Sequence, residues 1–170
     1  DYYIIAAKED NYRHLIGVNT AMSAADFFQK CLNGELADTD FDFMKQGRSE
    51  KEVKGSVRRK IRSLPFLTSM MGKNLVAQEH FTKNGVICTF ATTDCDATVG
   101  FVDAGKARPK SLLWGDSLDW EKAGLVELVV RRKVGEPLFT DVIFGDHAAL
   151  LKYRDKIEAV VSPSFYLCNR

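Results

Sequence analysis

Histidine is scarce in this chain, with three among 170 residues, His14, His80 and His147. None of them pairs with another at helix spacing, and no HExxH is present, which excludes the usual zinc-hydrolase arrangement. Cys31, Cys88, Cys95 and Cys168 are scattered without a CxxC. A zinc ribbon is thereby excluded, and free thiols in a reducing, cytoplasmic setting are expected. No apolar run approaches the roughly eighteen residues that a membrane span needs, so no membrane contact is expected. Glycine-rich phosphate cradles are missing: "GKARPKS" lacks the ending of a P-loop, and there is no GxSxG. Asp94 and Asp96 in "TDCD" could hold a cation, but aspartate in a hairpin turn usually serves the backbone. The expectation is a protein without metal or cofactor. The chain opens at Asp1 without an apolar leader, so we expect a single domain over 1–170 that can be a fragment of a longer chain.

What is there is a core-forming composition, 45% apolar and 28% charged, and an uneven charge distribution. The net charge of +1 hides it. Residues 1–44 carry three basic and eight acidic side chains, a balance of −5. Residues 45–63 carry eight basic and two acidic ones, a balance of +6. A near-neutral chain can therefore present a basic surface to a polyanion.

The pattern along the chain predicts helices first and strands later. "YYIIAA" is a short β-type run, after which His14 falls in "NYRHLIGVN". "MSAADFFQKCLNG" reads as a helix capped by Ser23, with Asp26 three residues on and Asn33-Gly34 as its stop. "SEKEVKGSVRRKIRSL" has a capping box, Ser49 with Glu52, and a predicted buried stripe of Val53, Val57, Ile61 and Leu64. Lys51, Lys54, Arg58 and Arg62 form a basic stripe beside it. Pro65 is expected to end that helix, with "FLTSMMG" and "NLVAQEHF" as short helical pieces. From Asn84-Gly85 onward strands are expected: "VICTFAT" and "ATVGFV" around "TDCD", then "LVELVVRRK" and "LFTDVIFG" around "VGEP". "DAGKARPK" reads as a basic connector into "SLLWG", and "DHAALLKYRDKI" as a helix capped by Asp146. The order argues for an α+β fold, N-terminal helices packed on an antiparallel, hairpin-rich sheet.

With no metal or cofactor motif, the candidate chemistry is one histidine and several cations. Lys106, Arg108 and Lys110 with Ser111, read as a loop, suit phosphate contacts. Strand alternation puts Arg131 and Lys133 on one face and Arg132 on the other. A metal-independent ribonuclease needs a base for the ribose 2′-OH, a proton donor for the leaving 5′-oxygen, and cations for the phosphorane. His14 with several Arg and Lys residues is a sufficient set.

Several ordered segments carry a resemblance. "YYIIAAKEDNYRHLIGV", "SAADFFQKCLNGEL", "KGSVRRKI", "ARPKSLL" and "ELVVRRK" resemble the fourth group of phage-associated Barnase–EndoU–ColicinE5/D–RelE-like nucleases, over most of residues 2–146. The resemblance implies helices leading into a four-stranded antiparallel sheet whose face is the active surface. It also implies metal-free RNA cleavage by toxin-like proteins of phages and mobile elements, with RNA as partner and an antitoxin or immunity protein as possible inhibitor. It points to His14 as base or acid, Lys54 and Arg131 as transition-state cations, and Lys110 with Ser111 as phosphate contacts; the basic stripe and the strand end add Arg58 and Lys133 as expected substrate contacts. Two other readings of the same residues are a non-catalytic nucleic-acid-binding module, indifferent to His14, and a protein-interaction domain without nucleic-acid affinity. In the binding module, Trp114 or Trp120 could stack on a base.

Overall fold

The computed structural model describes residues 2–103 and 105–167. Cys168, one of the four expected free thiols, lies outside them; Cys31, Cys88 and Cys95 are free. Three helices come first, α1 (Glu9–Ile16), α2 (Ala24–Asn33) and α3 (Glu50–Met70). The strands are β1 (Val76–Glu79), β2 (Thr82–Lys83), β3 (Val86–Ile87), β4 (Phe90–Thr93), β5 (Ala97–Asp103), β6 (Ala107–Trp114), β7 (Ala123–Leu125), β8 (Val129–Arg131) and β9 (Asp141–Phe144). Two short helices close the chain, α4 (His147–Lys152) and α5 (Arg154–Ile157), followed by a 3-10 turn at Pro163–Tyr166. The fold is α+β, in the order that the sequence pattern predicts.

The helix starts follow local chemistry. Asp26 N–H donates to Ser23 Oγ at 3.1 Å, and Gly34 closes α2 in the left-handed region at φ 71°. Glu52 N–H donates to Ser49 Oγ, while Ser49 N–H donates back to the Glu52 carboxylate, which completes the capping box of α3. α1 was not foreseen: the His14 segment is helical rather than the end of a strand. Its first turn is held by Lys8 N–H donating to Asn11 Oδ1 at 2.8 Å, and Gly17 ends it at φ 79°. The "YYIIAA" run stays extended only enough to bridge β6, with Ala6 N–H donating to Ala107 O.

Three local readings are corrected by packing. α3 does not stop at Pro65 but runs through it to Met70. Proline removes one helix hydrogen bond at a cost of about 3 kcal/mol. Leu64, Phe66, Leu67 and Met70 all pack into one core, and that burial outweighs the lost bond. The buried stripe of α3 also differs from the expected one: Val53 and Val57 are buried, but Ile61 is 50% exposed and Ser63 takes the inner position. "NLVAQEHF" is not helical either. It forms β1, with the buried–open alternation of Val76 and Gln78 against Ala77 and Glu79.

The main sheet has five antiparallel strands in the order β6-β5-β4-β1-β7, one more than the resemblance implies. "ARPKSLLW" is the edge strand β6, so the expected basic connector is a correction as well. Pro109 is tolerated there because β6 is an edge strand and its register shifts at Gly100/Phe101. Asn84-Gly85 makes the two-residue turn between β2 and β3, both at positive φ. One face of the sheet, with Phe90, Val99, Phe101 and Leu112, packs against α3 and Leu15 of α1. The other face buries Cys88 and Ala91 against Phe81 of the β1–β2 connection. The predicted "VGEP" hairpin is β8–β9. It joins α4 and α5 in a separate C-terminal core of Leu150, Ile157 and Val161.

Candidate active-site cleft and basic groove

A cleft of about 1440 Å³ opens between the sheet, the N-terminal segment, the end of α3 and the C-terminal lobe. β1 and β4 floor it. At the end of β1, Glu79 and His80 both line it. Neighbouring strand residues normally face opposite ways. Here His80 leaves the strand at φ 52°, held by its N–H donating to Thr89 O at 2.7 Å. A non-glycine residue in that region carries strain on the order of 1 kcal/mol, and such residues cluster at functional sites.

Tyr3 completes the corner. Its hydroxyl donates to Glu79 Oε1 at 2.7 Å. Its ring stacks on Phe90 at 4.1 Å, and Phe90 stacks on Phe101 at 4.8 Å, so an aromatic column rooted in the core positions the hydroxyl. The bond to Glu79, then burial and nearby negative charge, push the Tyr3 pKa up to about 12. The cations Lys122, Arg131 and Lys156 also line the cleft. Lys122 is paired with Asp119 at 2.7 Å and Arg131 with Asp141 at 3.2 Å. Most of the remaining wall is apolar, from Leu125, Val129, Phe139 and Ile143.

A second concavity, about 880 Å³, lies beside the start of α3. Lys45, Arg48 and Lys54 line it with Phe43 and Met44. Lys54 Nζ bonds Glu50 at 2.6 Å and stands over the Phe43 ring at 5.1 Å. Nearby on α3, Lys60 points inward at the end of α1, its Nζ 3.0 Å from where a side chain on Gly17 would begin. Burial, with the charges of Lys45 and Arg48, lowers the Lys60 pKa.

The predicted site residues fall in several places. His14 is exposed on the last turn of α1. Lys54 lines the groove, and Arg58 follows one turn later on α3, exposed. Lys110 is on β6, its Nζ donating to Ile87 O at 3.0 Å. Ser111 beside it is only 6% exposed and faces the Gly100–Cys88 side of the sheet. Arg131 lines the cleft from β8, and Lys133 lies just beyond that strand in the C-terminal lobe. Among the described residues none of these seven hydrogen-bonds to another. Tyr3, Glu79, His80 and Lys60 were not singled out from sequence. A signal existed for Lys60, which falls between Val57 and Leu64 at three- and four-residue steps on the inner stripe. Asp94 and Asp96 serve the turn: Asp94 accepts from the N–H groups of Asp96 and Ala97, and both carboxylates meet Lys73. No three His, Cys, Asp or Glu side chains converge as a metal site among the described residues. No described helix is long and apolar enough to cross a membrane.

Leading helices, an antiparallel sheet with an open cleft on one face, and a basic helix beside it define a small α+β protein equipped to handle a polyanion. A family model, phage-Barnase-EndoU-ColicinE5/D-RelE like nuclease4, matches residues 1–107. The chain belongs to that nuclease family, and a nucleic acid is its substrate class. No curated protein and no solved structure matches the chain significantly.

Proposed function

We propose that the protein is a metal-independent endoribonuclease whose chemistry takes place in the sheet-floored cleft. The observation that carries this reading is the corner where the Tyr3 hydroxyl bonds Glu79, with His80, the next residue, lining the same cleft. Glu79 takes the proton of the ribose 2′-OH, and the freed oxygen attacks phosphorus. The P–O5′ bond breaks, and His80, as imidazolium, protonates the departing 5′-oxygen, leaving a 2′,3′-cyclic phosphate. Arg131 and Lys156 face the cleft and stabilise the phosphorane charge. The use of the 2′-OH makes RNA rather than DNA the substrate. The family's phage setting supports a toxin-like role in conflicts between mobile elements, restrained by an inhibitor protein. His14 and Lys54 are outside this cleft, so their assignment as base and charge stabiliser is a competing version of the same chemistry.

The test is incubation with total tRNA and single-stranded RNA in EDTA. Cleavage ending in a 2′,3′-cyclic phosphate, lost in Glu79→Gln and His80→Ala but kept in His14→Ala, is expected. Loss only in His14→Ala would move the chemistry to α1. Absence of cleavage by folded protein on every RNA would overturn the nuclease reading of this chain.

A further inference from the structure

The groove beside α3 has an unusual charge balance. Its lining holds three carboxylates, Asp38, Asp42 and Glu50, beside three cations, Lys45, Arg48 and Lys54, and two of the carboxylates are engaged internally. Asp42 accepts from Asn19 Nδ2 at 3.0 and 2.9 Å and from Met44 N–H at 2.8 Å. Glu50 holds Lys54. Two of the three lining cations, Lys45 and Arg48, are not engaged by a carboxylate. Among the described residues Lys45, Arg48 and Lys60 have no carboxylate within 4.0 Å. Arg48 reaches Glu52 only through space, and that carboxylate is already bound by Ser49. Lys45 and Arg48 are exposed at the groove, and Lys60 is held beneath them against Gly17. Like charges collected without a counter-ion cost stability; the Lys60 pKa is lowered first by burial and then by the charges of Lys45 and Arg48. An anion entering the groove would relieve it.

The groove also has an apolar seat. Met44 is 73% exposed, and Phe43 beside it is braced edge-on by Phe41 at 5.5 Å. Single-stranded nucleic acid is recognised by this combination, cations for the backbone and a flat or polarisable apolar surface for a base. A duplex would not offer a base to Met44. We infer that this groove binds a single-stranded segment of nucleic acid, with Lys45 and Arg48 on successive phosphates and a base against Met44 and Phe43. Lys60 strengthens the local field from below. This inference deepens the endoribonuclease reading, because it gives the substrate a holding site separate from the cleft.

The experiment measures binding of a fluorescent 2′-O-methyl decauridylate, which lacks the nucleophile and cannot be cleaved by 2′-OH attack. Anisotropy is followed from 50 to 200 mM salt. Lys45→Glu with Arg48→Glu is expected to weaken binding at least about tenfold and to lower the salt slope by about 1.4. Lys8→Glu with Lys83→Glu, two exposed lysines outside groove and cleft, makes the same change in net charge. It is expected to weaken binding less than about threefold. Bound oligonucleotide should also protect Lys45 from acylation, read by mass spectrometry. Equal loss in the two double variants, or no protection of Lys45, would overturn the groove as a site. Groove-dependent binding by a protein that cleaves no RNA would uphold this inference and refute the nuclease reading alone.

Discussion

The cleft and the groove handle charge in opposite ways. In the cleft, several strong groups have a partner: Tyr3 bonds Glu79, Arg131 meets Asp141, and Lys122 meets Asp119. In the groove and just below it, Lys45, Arg48 and Lys60 are left unpaired among the described residues, although lining carboxylates are close by. A preorganised, paired corner suits proton transfer, where geometry must be held before the substrate arrives. An unpaired cationic surface suits binding, where the missing partner is the ligand. The two regions are joined by α3, whose first turn borders the groove and whose last residues border the cleft.

The largest effect should come from breaking the cleft. His80→Ala is expected to lower cleavage by about 10²–10⁴-fold, the usual worth of a general acid or base, measured on a labelled RNA. His14→Ala should change it less than about twofold. The reverse order would move the chemistry out of the cleft.

A second cut severs the tie between α3 and the sheet. Asp94 is 1% exposed and bonds Lys73 at 2.7 Å, just beyond the end of α3. Burial alone would raise its pKa, but the Lys73 bond, the N–H groups of Ala97 and Asp96 and the Lys73 charge outweigh burial and hold it below the ordinary value. Lys73→Met should destabilise the protein, less than the loss of a fully buried pair would because Lys73 is 40% exposed. A depressed carboxylate pKa gives stability that is present above the unfolded value and is lost as pH falls through the folded one. The variant's denaturant midpoint should therefore lose its acid-side dependence on this pair.

Lys60 gives the groove a thermodynamic test of opposite sign. Its lowered pKa means that between the folded value and the unfolded 10.5 the unfolded chain holds the extra proton. Stability from this group then rises with pH across that window. Lys60→Met should abolish the rise and stabilise the protein by about 1 kcal/mol near neutrality, read from urea midpoints. Destabilisation instead would show that the cation is compensated where it sits.

Tyr3→Phe is the smallest change. It should cost about 1 kcal/mol and remove one late-titrating phenol from the ultraviolet titration. With its pKa raised from 10.0 to about 12, Tyr3 contributes stability present below 10.0 and lost as pH rises through about 12. Cleavage should fall several-fold if the hydroxyl positions Glu79.

Legibility in the sequence tracked the range of the interactions. Ser23 with Asp26, Ser49 with Glu52, and Asp146 before α4 act within one turn of their own helix, and each appears where the pattern places it. The β4–β5 and β8–β9 hairpins follow from nearby turn residues in the same way. Pro65 misled because the burial that carries α3 past it comes from the sheet. "NLVAQEHF" misled because β1 acquires its hydrogen bonds from β4 and β7, the second of which lies more than forty residues away. "ARPKSLLW" became a strand through its ladder with β5.

The site was less legible than the fold for the same reason. His14 and the basic stripe were visible as residue types, but a cleft is made by segments that meet only after folding. Tyr3 comes from the first residues, Glu79 from the end of β1 with His80 just beyond it, and Arg131 from the C-terminal lobe. The sequence by itself determined the α+β order, the helix caps, the charge segregation and the absence of metal and nucleotide motifs, since each rests on local spacing or composition. Only the tertiary structure decided which faces meet, because the free energy that selects them comes from burial between distant segments. It thereby put a tyrosine against a glutamate in one cleft and brought Lys60 of α3 near Lys45 and Arg48, which precede that helix.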